Sequence, residues 1–366
     1  MKMKNRFFLS FSLFVTFASV AQLEELTPHE KAYSDSIAAL NSKNAVTAQS
    51  QTCYNKGIQL FGEKNYTGAI EQFANSIKAD PNFTAAFYNK GVAENEAGNF
   101  REAVKTLDQL ITIDPNYSKA YFQRARALQG NNDYLKAELD YTKSIQLDPK
   151  NPKAYYNFGT LKFLQLDYPE AIKHFTTAIQ LDASFAFAYN DRGSCHRMMN
   201  NYPKAILDYE ESVKKNPKLA FVLNNIGTTK KKMKDYTGAM AAFNRAISVD
   251  PNFYMAYNNR GVSQMEQGKI DDAKKDFEKT LQLNPKYAAA ASNLSAIYFK
   301  QKDYKKALEY ANMAVTNDPN NASAYVNRGM AKEMLRDMEG ACSDWHKAKD
   351  LGAELGKSYY SENCNN

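Results

Sequence analysis

The feature that most constrains the fold is a strict period of 34 residues. One alanine recurs at this spacing without insertion or deletion: Ala69, Ala103, Ala137, Ala171, Ala205, Ala239, Ala273, Ala307 and Ala341. Twelve residues after each alanine stands a proline, except at Ala183 and Ala353. Self-similarity at this period predicts a solenoid, in which each repeat packs only against its neighbours.

Each period is predicted to contain two helices, at about 254–266 and 270–283 in one representative repeat. Gly268 lies between them, because glycine tolerates the backbone angles that a helix end needs. Pro285 ends the second helix, since proline lacks an N–H. A small residue in the first helix and a large apolar residue in the second would let the two backbones approach closely.

Spacing and residue types resemble the tetratricopeptide repeat family, with nine repeats over residues 50–355. The resemblance implies an all-α fold, a right-handed superhelical solenoid of antiparallel helix pairs whose first helices line a concave groove. The motif is specific for this fold and implies little about a ligand.

Residues 1–21 have the pattern of a secretory signal peptide. Three basic residues precede the apolar stretch Phe7–Phe17, and small residues end at Ala21. We therefore expect an exported protein of a Gram-negative bacterium, located in the periplasm or at the outer membrane. An uncleaved membrane anchor is the alternative, although the apolar stretch is short for a membrane span.

The two ends of the repeat array are predicted to carry caps. The capping box at 27–30 predicts a helix to about Leu40, so residues 22–49 are interpreted as an N-terminal capping helix and linker. Residues 356–366 are interpreted as a C-terminal cap. A solenoid needs such polar ends because its terminal repeats otherwise expose their core.

Cys342 and Cys364 would meet if the last two helices form a hairpin that turns near Gly352. Disulfides persist in exported proteins, so this pair is predicted to be a disulfide, with two free thiols as the alternative.

Arginine and aspartate alternate with the repeats. An arginine precedes the small residue of the first helix only in those repeats with an aspartate before the large apolar residue. The four pairs are Arg124 with Asp140, Arg192 with Asp208, Arg260 with Asp276, and Arg328 with Asp344. We interpret them as bridges that clamp the two helices of one repeat. A ligand-binding row of arginines is less favoured, because the aspartates would neutralise it.

The candidate partner site is the groove. Asparagine recurs two residues before the small residue of the first helix, with Gln123 and Asp191 in two gaps, and a carboxamide can bond a peptide backbone of any sequence. Such asparagines are also common in family members that bind different ligands.

The residue before this row is aromatic in the early repeats and asparagine in the middle repeats. The predicted groove residues are Asn89, Asn157, Asn190, Asn224, Asn225, Asn258, Asn259, Asn293, Tyr88, Phe122 and Tyr156. Phe61, Phe163, Phe187 and Phe221 are expected to face the same channel.

The sequence carries no recognisable catalytic, phosphate-binding or metal-binding motif. A metal site near His174, Cys195 and His196 lacks a convincing third ligand. The 47 basic and 40 acidic residues are interspersed, without a basic block for nucleic acid. We therefore expect no catalytic residues, no metal and no cofactor.

The favoured function is a non-enzymatic scaffold of the bacterial cell envelope that binds an extended segment of another envelope protein in the concave groove. One alternative is a carbohydrate-binding module for cell-wall or exopolysaccharide handling, which would use the aromatic residues. Another is a structural spacer in an envelope assembly. No nucleic-acid partner and no membrane span in the mature chain are expected, and the sequence leaves the oligomeric state open.

Overall fold

The structure, a computed structural model, describes residues 28–364, and every regular element in this range is an α-helix. The predicted signal peptide at 1–21 lies outside the described residues. The helices are α1 (Pro28–Gly62), α2 (Tyr66–Ala79), α3 (Thr84–Glu96), α4 (Phe100–Ile113), α5 (Ser118–Gly130), α6 (Tyr134–Leu147), α7 (Pro152–Leu164), α8 (Tyr168–Leu181), α9 (Ala186–Met198), α10 (Tyr202–Lys215), α11 (Ala220–Lys232), α12 (Tyr236–Val249), α13 (Tyr254–Glu266), α14 (Ile270–Leu283), α15 (Ala288–Lys300), α16 (Tyr304–Asn317), α17 (Ala322–Met334), α18 (Met338–Asp350) and α19 (Glu354–Asn363). The predicted all-α fold of tandem helix pairs is confirmed, and the bounds of α13 and α14 agree with prediction.

The described residues form two compact units, divided between Ala93 and Glu94. In the first unit, α1 packs against α2, and Phe73 is fully buried in a cluster with Ala69 and Ala93. In the second unit, consecutive helix pairs run from α5 and α6 to α17 and α18, followed by α19.

Helix α1 differs from the prediction. A capping helix to about Leu40 and a linker were expected before the first repeat, but α1 runs unbroken to Gly62. The stretch 41–49 contains neither proline nor glycine, so nothing in its sequence ends a helix. The capping segment and the first helix of the first repeat are therefore one continuous helix.

Close helix pairing depends on the small residue of the first helix. A Cβ atom added to Gly227 in α11 would lie 2.4 Å from the ring of Phe243 in α12. Phe243 is fully buried, and so is Phe277 against Gly261 in the next repeat. An aromatic ring thus occupies the space that a missing side chain leaves, as the sequence pattern predicts.

The turn within each repeat has one left-handed residue. Nine residues spaced by 34 have φ between 58° and 77°: Lys64, Gly98, Asn132, Leu166, Asn200, Lys234, Gly268, Lys302 and Arg336. In the fourth repeat, Leu166 and Asp167 donate backbone N–H groups to the carbonyls of Phe163 and Lys162 at 3.0 and 2.9 Å. These bonds satisfy the free carbonyls at the helix end. Only two of the nine residues are glycine, so the other repeats accept backbone strain there.

The last helix covers the end of the ninth repeat. Tyr359 of α19 stacks on the fully buried Trp345 of α18, with ring centroids 5.2 Å apart. Cys342 and Cys364 form a disulfide with their Cα atoms 5.7 Å apart. The two cysteines therefore lie where the sequence predicts, near the start of α18 and after the end of α19.

Replacing Leu166 by glycine should raise the free energy of unfolding by about 0.5–1 kcal/mol, because glycine adopts a positive φ without steric cost. The Leu166 side chain is 69% exposed, so little packing is lost. The matched control is Leu139→Gly, since Leu139 is 70% exposed in the interior of α6. That change should cost about 1 kcal/mol. Urea unfolding followed by circular dichroism measures both free-energy changes. Equal destabilisation by the two replacements would show that Leu166 carries no backbone strain.

Candidate interaction surface on the first helices

Neighbouring first helices are joined by side-chain amides 35 residues apart. Asn225 donates from Nδ2 to Asn190 Oδ1 at 3.1 Å, and Asn259 donates to Asn224 Oδ1 at 2.9 Å. Asn327 continues the pattern by donating to Ser292 Oγ at 3.2 Å. The asparagines therefore form hydrogen bonds between repeats, which we call the amide ladder: Asn190, Asn224, Asn225, Asn258, Asn259, Ser292 and Asn327.

This geometry corrects one expectation from the sequence. Asn224, Asn225, Asn258 and Asn259 were expected to bond a partner backbone, with Asn190 in the same groove. Asn225 and Asn259 instead donate to neighbouring repeats, and the protein encloses Asn190, Asn224 and Asn258. All three are buried, with 6%, 8% and 5% of their surface exposed. Asn258 donates to Asn259 at 3.3 Å. The physical reason is that a carboxamide carries both a donor and an acceptor, so neighbouring members of the row bond one another, although the buried Oδ1 of Asn258 accepts no hydrogen bond from the described residues.

The other predicted asparagines are also engaged where their contacts are described. Asn157 donates to the backbone carbonyl of Lys153 in its own helix at 2.8 Å. In the first unit, Asn89 donates to the hydroxyl of Tyr54 at 2.8 Å. Asn293 is half-buried.

The predicted aromatic lining is mostly internal, which is a second correction. Phe122 is only 9% exposed and packs against Tyr141, with ring centroids 6.2 Å apart. Tyr156 packs against Phe185 at 4.7 Å and Phe175 at 5.7 Å. Tyr88 is half-buried. The rings of Phe122 and Tyr156 therefore pack inside the repeats and do not form an open platform.

Apolar side chains face outward on the first helices of the middle repeats, as some do elsewhere in the described residues. Phe187 is 45% exposed, and its ring stacks on that of Phe221 at 6.2 Å with an interplanar angle of 15°. Met255 occupies the equivalent position one repeat later and is 36% exposed. We call these three residues, spaced by 34, the exposed apolar row, in which Phe221 itself is partly buried.

One charged residue interrupts the row of asparagines beside the exposed apolar row. Asp191 accepts a hydrogen bond from the hydroxyl of Tyr156 at 2.7 Å and another from Asn190 Nδ2 at 2.8 Å. Burial raises the pKa of the Asp191 carboxyl above its usual range, and the two hydrogen bonds oppose that rise. In the sequence, the only signal is that Asp191 stands at an asparagine position.

The four predicted arginine–aspartate pairs are all formed. In each, arginine Nε and one terminal nitrogen donate to the two carboxylate oxygens of the aspartate, at 2.6 to 2.9 Å. The aspartates are nearly inaccessible: Asp276, for example, is 5% exposed. The hydrogen bonds that Arg260 donates to Asp276 raise the pKa of Arg260 and outweigh its partial burial, which lowers that pKa.

Two further contacts of these arginines were not predicted from the sequence. The remaining terminal nitrogen of Arg260 donates to Asn244 of the preceding repeat at 2.6 Å. Its guanidinium carbon lies 5.5 Å from the ring centroid of Tyr257, three residues earlier. The same pair of contacts recurs at Arg124 with Asp108 and Tyr121, at Arg192 with Thr176 and Tyr189, and at Arg328 with Asn312 and Tyr325. Each arginine therefore links three helices across a repeat boundary.

His174 and the thiol of Cys195 are packed within the protein. The ring of His174 stacks on Phe158 at 4.1 Å, and burial lowers its pKa. Burial raises the pKa of Cys195 to about 12, so this thiol is a poor nucleophile at neutral pH. Among the described residues, no group of three metal-ligating side chains comes together.

Comparison with known proteins identifies the family. Models of the tetratricopeptide repeat match residues 60–128, 118–151, 140–173, 186–219, 222–253 and 258–322. Together these ranges span more than half of the chain. The chain belongs to the tetratricopeptide repeat family.

Solved tetratricopeptide repeat structures share its fold. PilF of Pseudomonas aeruginosa superposes with a TM-score of 0.52 at 22% identity, covering 58% of this chain and 97% of that protein. A repeat protein of Parabacteroides merdae gives a TM-score of 0.53 at 20% identity, covering 67% and 97%. The C-terminal part of one from Cytophaga hutchinsonii gives 0.53 at 20%, covering 66% and 98%. These likenesses concern the fold.

Comparison of the sequence with curated proteins gives no significant match. Within the part of the chain that the structure describes, no helix has the length and apolar character needed to span a bilayer.

Replacing Arg260 by methionine should lower the free energy of unfolding by about 2–4 kcal/mol, because Asp276 would remain buried without its cation. A second replacement, Asp276→Leu, should recover most of the loss. The control Arg245→Met changes the same charge at an exposed position of α12 and should cost less than about 0.5 kcal/mol. Urea unfolding of the four chains measures these values. Equal effects of the Arg260 and Arg245 variants would contradict the clamp.

Proposed function

We propose that this protein is a non-enzymatic scaffold of the bacterial cell envelope, which binds an extended segment of another envelope protein along the first helices of its fifth to seventh repeats. Tetratricopeptide repeat proteins are protein-interaction scaffolds, and that general role applies here. The observation that supports the specific site is the exposed apolar row of Phe187, Phe221 and Met255. Exposed aromatic side chains on a rigid surface are the usual anchors of protein interfaces.

The spacing of the row favours an extended partner. Packed helices lie about 8–10 Å apart, and an extended chain advances about 3.3 Å per residue. Roughly three partner residues would therefore span one repeat. A partner helix advances only about 1.5 Å per residue and would need more than one turn between successive anchors.

Two observations support export. The first 21 residues have the pattern of a signal peptide. The disulfide between Cys342 and Cys364 is of the kind that persists outside the reducing cytosol.

The carbohydrate-binding alternative loses its support. It relied on open aromatic faces in the early repeats, but Phe122 is buried and Tyr156 packs between Phe175 and Phe185. The structural spacer remains as an outcome of the test below, because a spacer would not depend on the exposed apolar row.

Replacing Phe187 and Met255 together by serine should abolish partner binding without unfolding the chain, since both side chains are well exposed. The mature chain, residues 22–366, is used to capture proteins from envelope extract, and mass spectrometry identifies them. The control is Leu207→Ser, because Leu207 is 63% exposed on the second helix α10. A protein retained by wild type and control but lost by the double variant supports the proposal. Equal retention by all three chains favours the spacer.

Export is tested separately. Residues 1–30 fused to alkaline phosphatase, which is active only where its disulfides form, should give an active enzyme in a Gram-negative host. The change Leu13→Arg places a charge in the apolar stretch of the signal and should abolish that activity. An inactive cytoplasmic fusion with the unchanged sequence would contradict an envelope location.

A further inference from the structure

The first helices of the middle repeats share one polar position, which is Asn157, Asp191, Asn225 and Asn259 in successive repeats. Asp191 is the single charged residue among these four. Asp191 is partly buried as a residue, and it lies on the same helix as Phe187 of the exposed apolar row.

The fold does not require a charge at this position. Asn259 is placed like Asp191, and its Oδ1 accepts from the neighbouring Asn258 just as Asp191 Oδ1 accepts from Asn190. The second contact of Asp191 is to a tyrosine hydroxyl, and a hydroxyl can accept as well as donate. In the first unit, Asn89 makes this same contact by donating to the hydroxyl of Tyr54 at 2.8 Å. Asparagine would therefore satisfy every contact that Asp191 makes within the protein.

The negative charge of Asp191 is not neutralised. Among the described residues no lysine, arginine or histidine lies within ion-pair distance of it, and its contacts are the neutral Tyr156 and Asn190. Nearby cations are engaged elsewhere. Arg192 is paired with Asp208, and Lys231 lies 3.4 Å from Glu266.

The carboxylate is nevertheless held in one orientation. Each of its oxygens accepts one hydrogen bond from the protein, and each has a further lone pair available. Its partner Asn190 is itself fixed by the bond from Asn225, so four side chains on α7, α9 and α11 form one network. Such a preorganised, uncompensated carboxylate is suited to a guanidinium or ammonium group.

The surroundings of Asp191 indicate which kind of partner side chain lies near the bound basic group. Phe187 precedes Asp191 by four residues on α9, so the two side chains are neighbours on one helix face, with Cβ atoms about 5–6 Å apart. Alternate side chains of an extended peptide lie on one face about 6.6 Å apart. When a basic side chain of the partner binds Asp191, the partner side chain two residues away therefore lies beside the stacked rings of Phe187 and Phe221.

We propose that Asp191 is a cation-binding subsite, and that the segment bound by this protein carries a lysine or arginine two residues from an apolar side chain. The basic group binds the Asp191 carboxylate, and the apolar side chain contacts Phe187 and Phe221. This inference rests on the proposed function, since it specifies the chemistry of the segment that the first helices bind.

The test is selection from a displayed library of ten-residue peptides with every position randomised, using the mature chain at about 0.15 M salt. We expect enriched peptides with lysine or arginine two positions from an apolar residue. For the strongest binder, replacing its basic residue by glutamine should weaken binding to the wild-type chain about tenfold, since a charge-assisted hydrogen bond is lost. This comparison uses only the unchanged protein.

Two variants assign the effect to Asp191. Asp191→Asn should keep the fold and lose the preference for the basic over the glutamine peptide. Asp271→Asn makes the same charge change at an exposed position of α14 and should leave the preference intact. Circular dichroism and urea unfolding check that both chains are folded.

The outcomes separate the two proposals. Enriched apolar peptides without a basic residue, or a preference that persists in the Asp191→Asn chain, would overturn the cation subsite and leave the peptide-binding scaffold standing. If no peptide is enriched by the wild-type chain over a Phe187→Ser/Met255→Ser chain, both proposals are overturned.

Discussion

The close approach of two helices around one aromatic ring is the contact on which the rest of this structure depends. Gly227 and Phe243 show its limit, because even a methyl group on the glycine would overlap the ring. Repetition of this contact sets the pairing of helices in most repeats, with Leu107 in place of the ring in the second repeat and Ala311 in the eighth. The left-handed turn residue lets the chain reverse between the two helices. Polar side chains then join one repeat to the next. The surface left for a partner is what remains after these joints are made.

The joints between repeats are of two kinds. The amide ladder connects neighbouring first helices, as between Asn224 and Asn259. The arginine clamps connect a first helix to two second helices, as Arg260 does through Asp276 and Asn244. The clamps occur in alternate repeats, so the unit that repeats in full has two helix pairs. Both kinds of joint engage polar side chains that would seem available to a ligand if each repeat were considered alone.

This division explains what the sequence could predict. Contacts within one repeat follow from a fixed spacing, so the helix bounds and the Arg260–Asp276 pair were predictable. Contacts between repeats depend on how neighbouring helices are placed, which the period alone does not define. A carboxamide at Asn224 has the same chemistry whether it bonds a partner or Asn259, and only the coordinates show its burial. The exposure of Phe187 and the unneutralised charge of Asp191 likewise depend on neighbours.

The central claim is that the asparagines of the first helices hold the repeats together and are not the ligand site. A double-mutant cycle on Asn224 and Asn259 tests it most directly, with unfolding free energies of Asn224→Ala, Asn259→Ala and the double variant. The account predicts that each single change costs about 1 kcal/mol and that the double change costs clearly less than their sum, because both remove the same hydrogen bond. Additive or negligible costs, combined with loss of peptide binding, would contradict it.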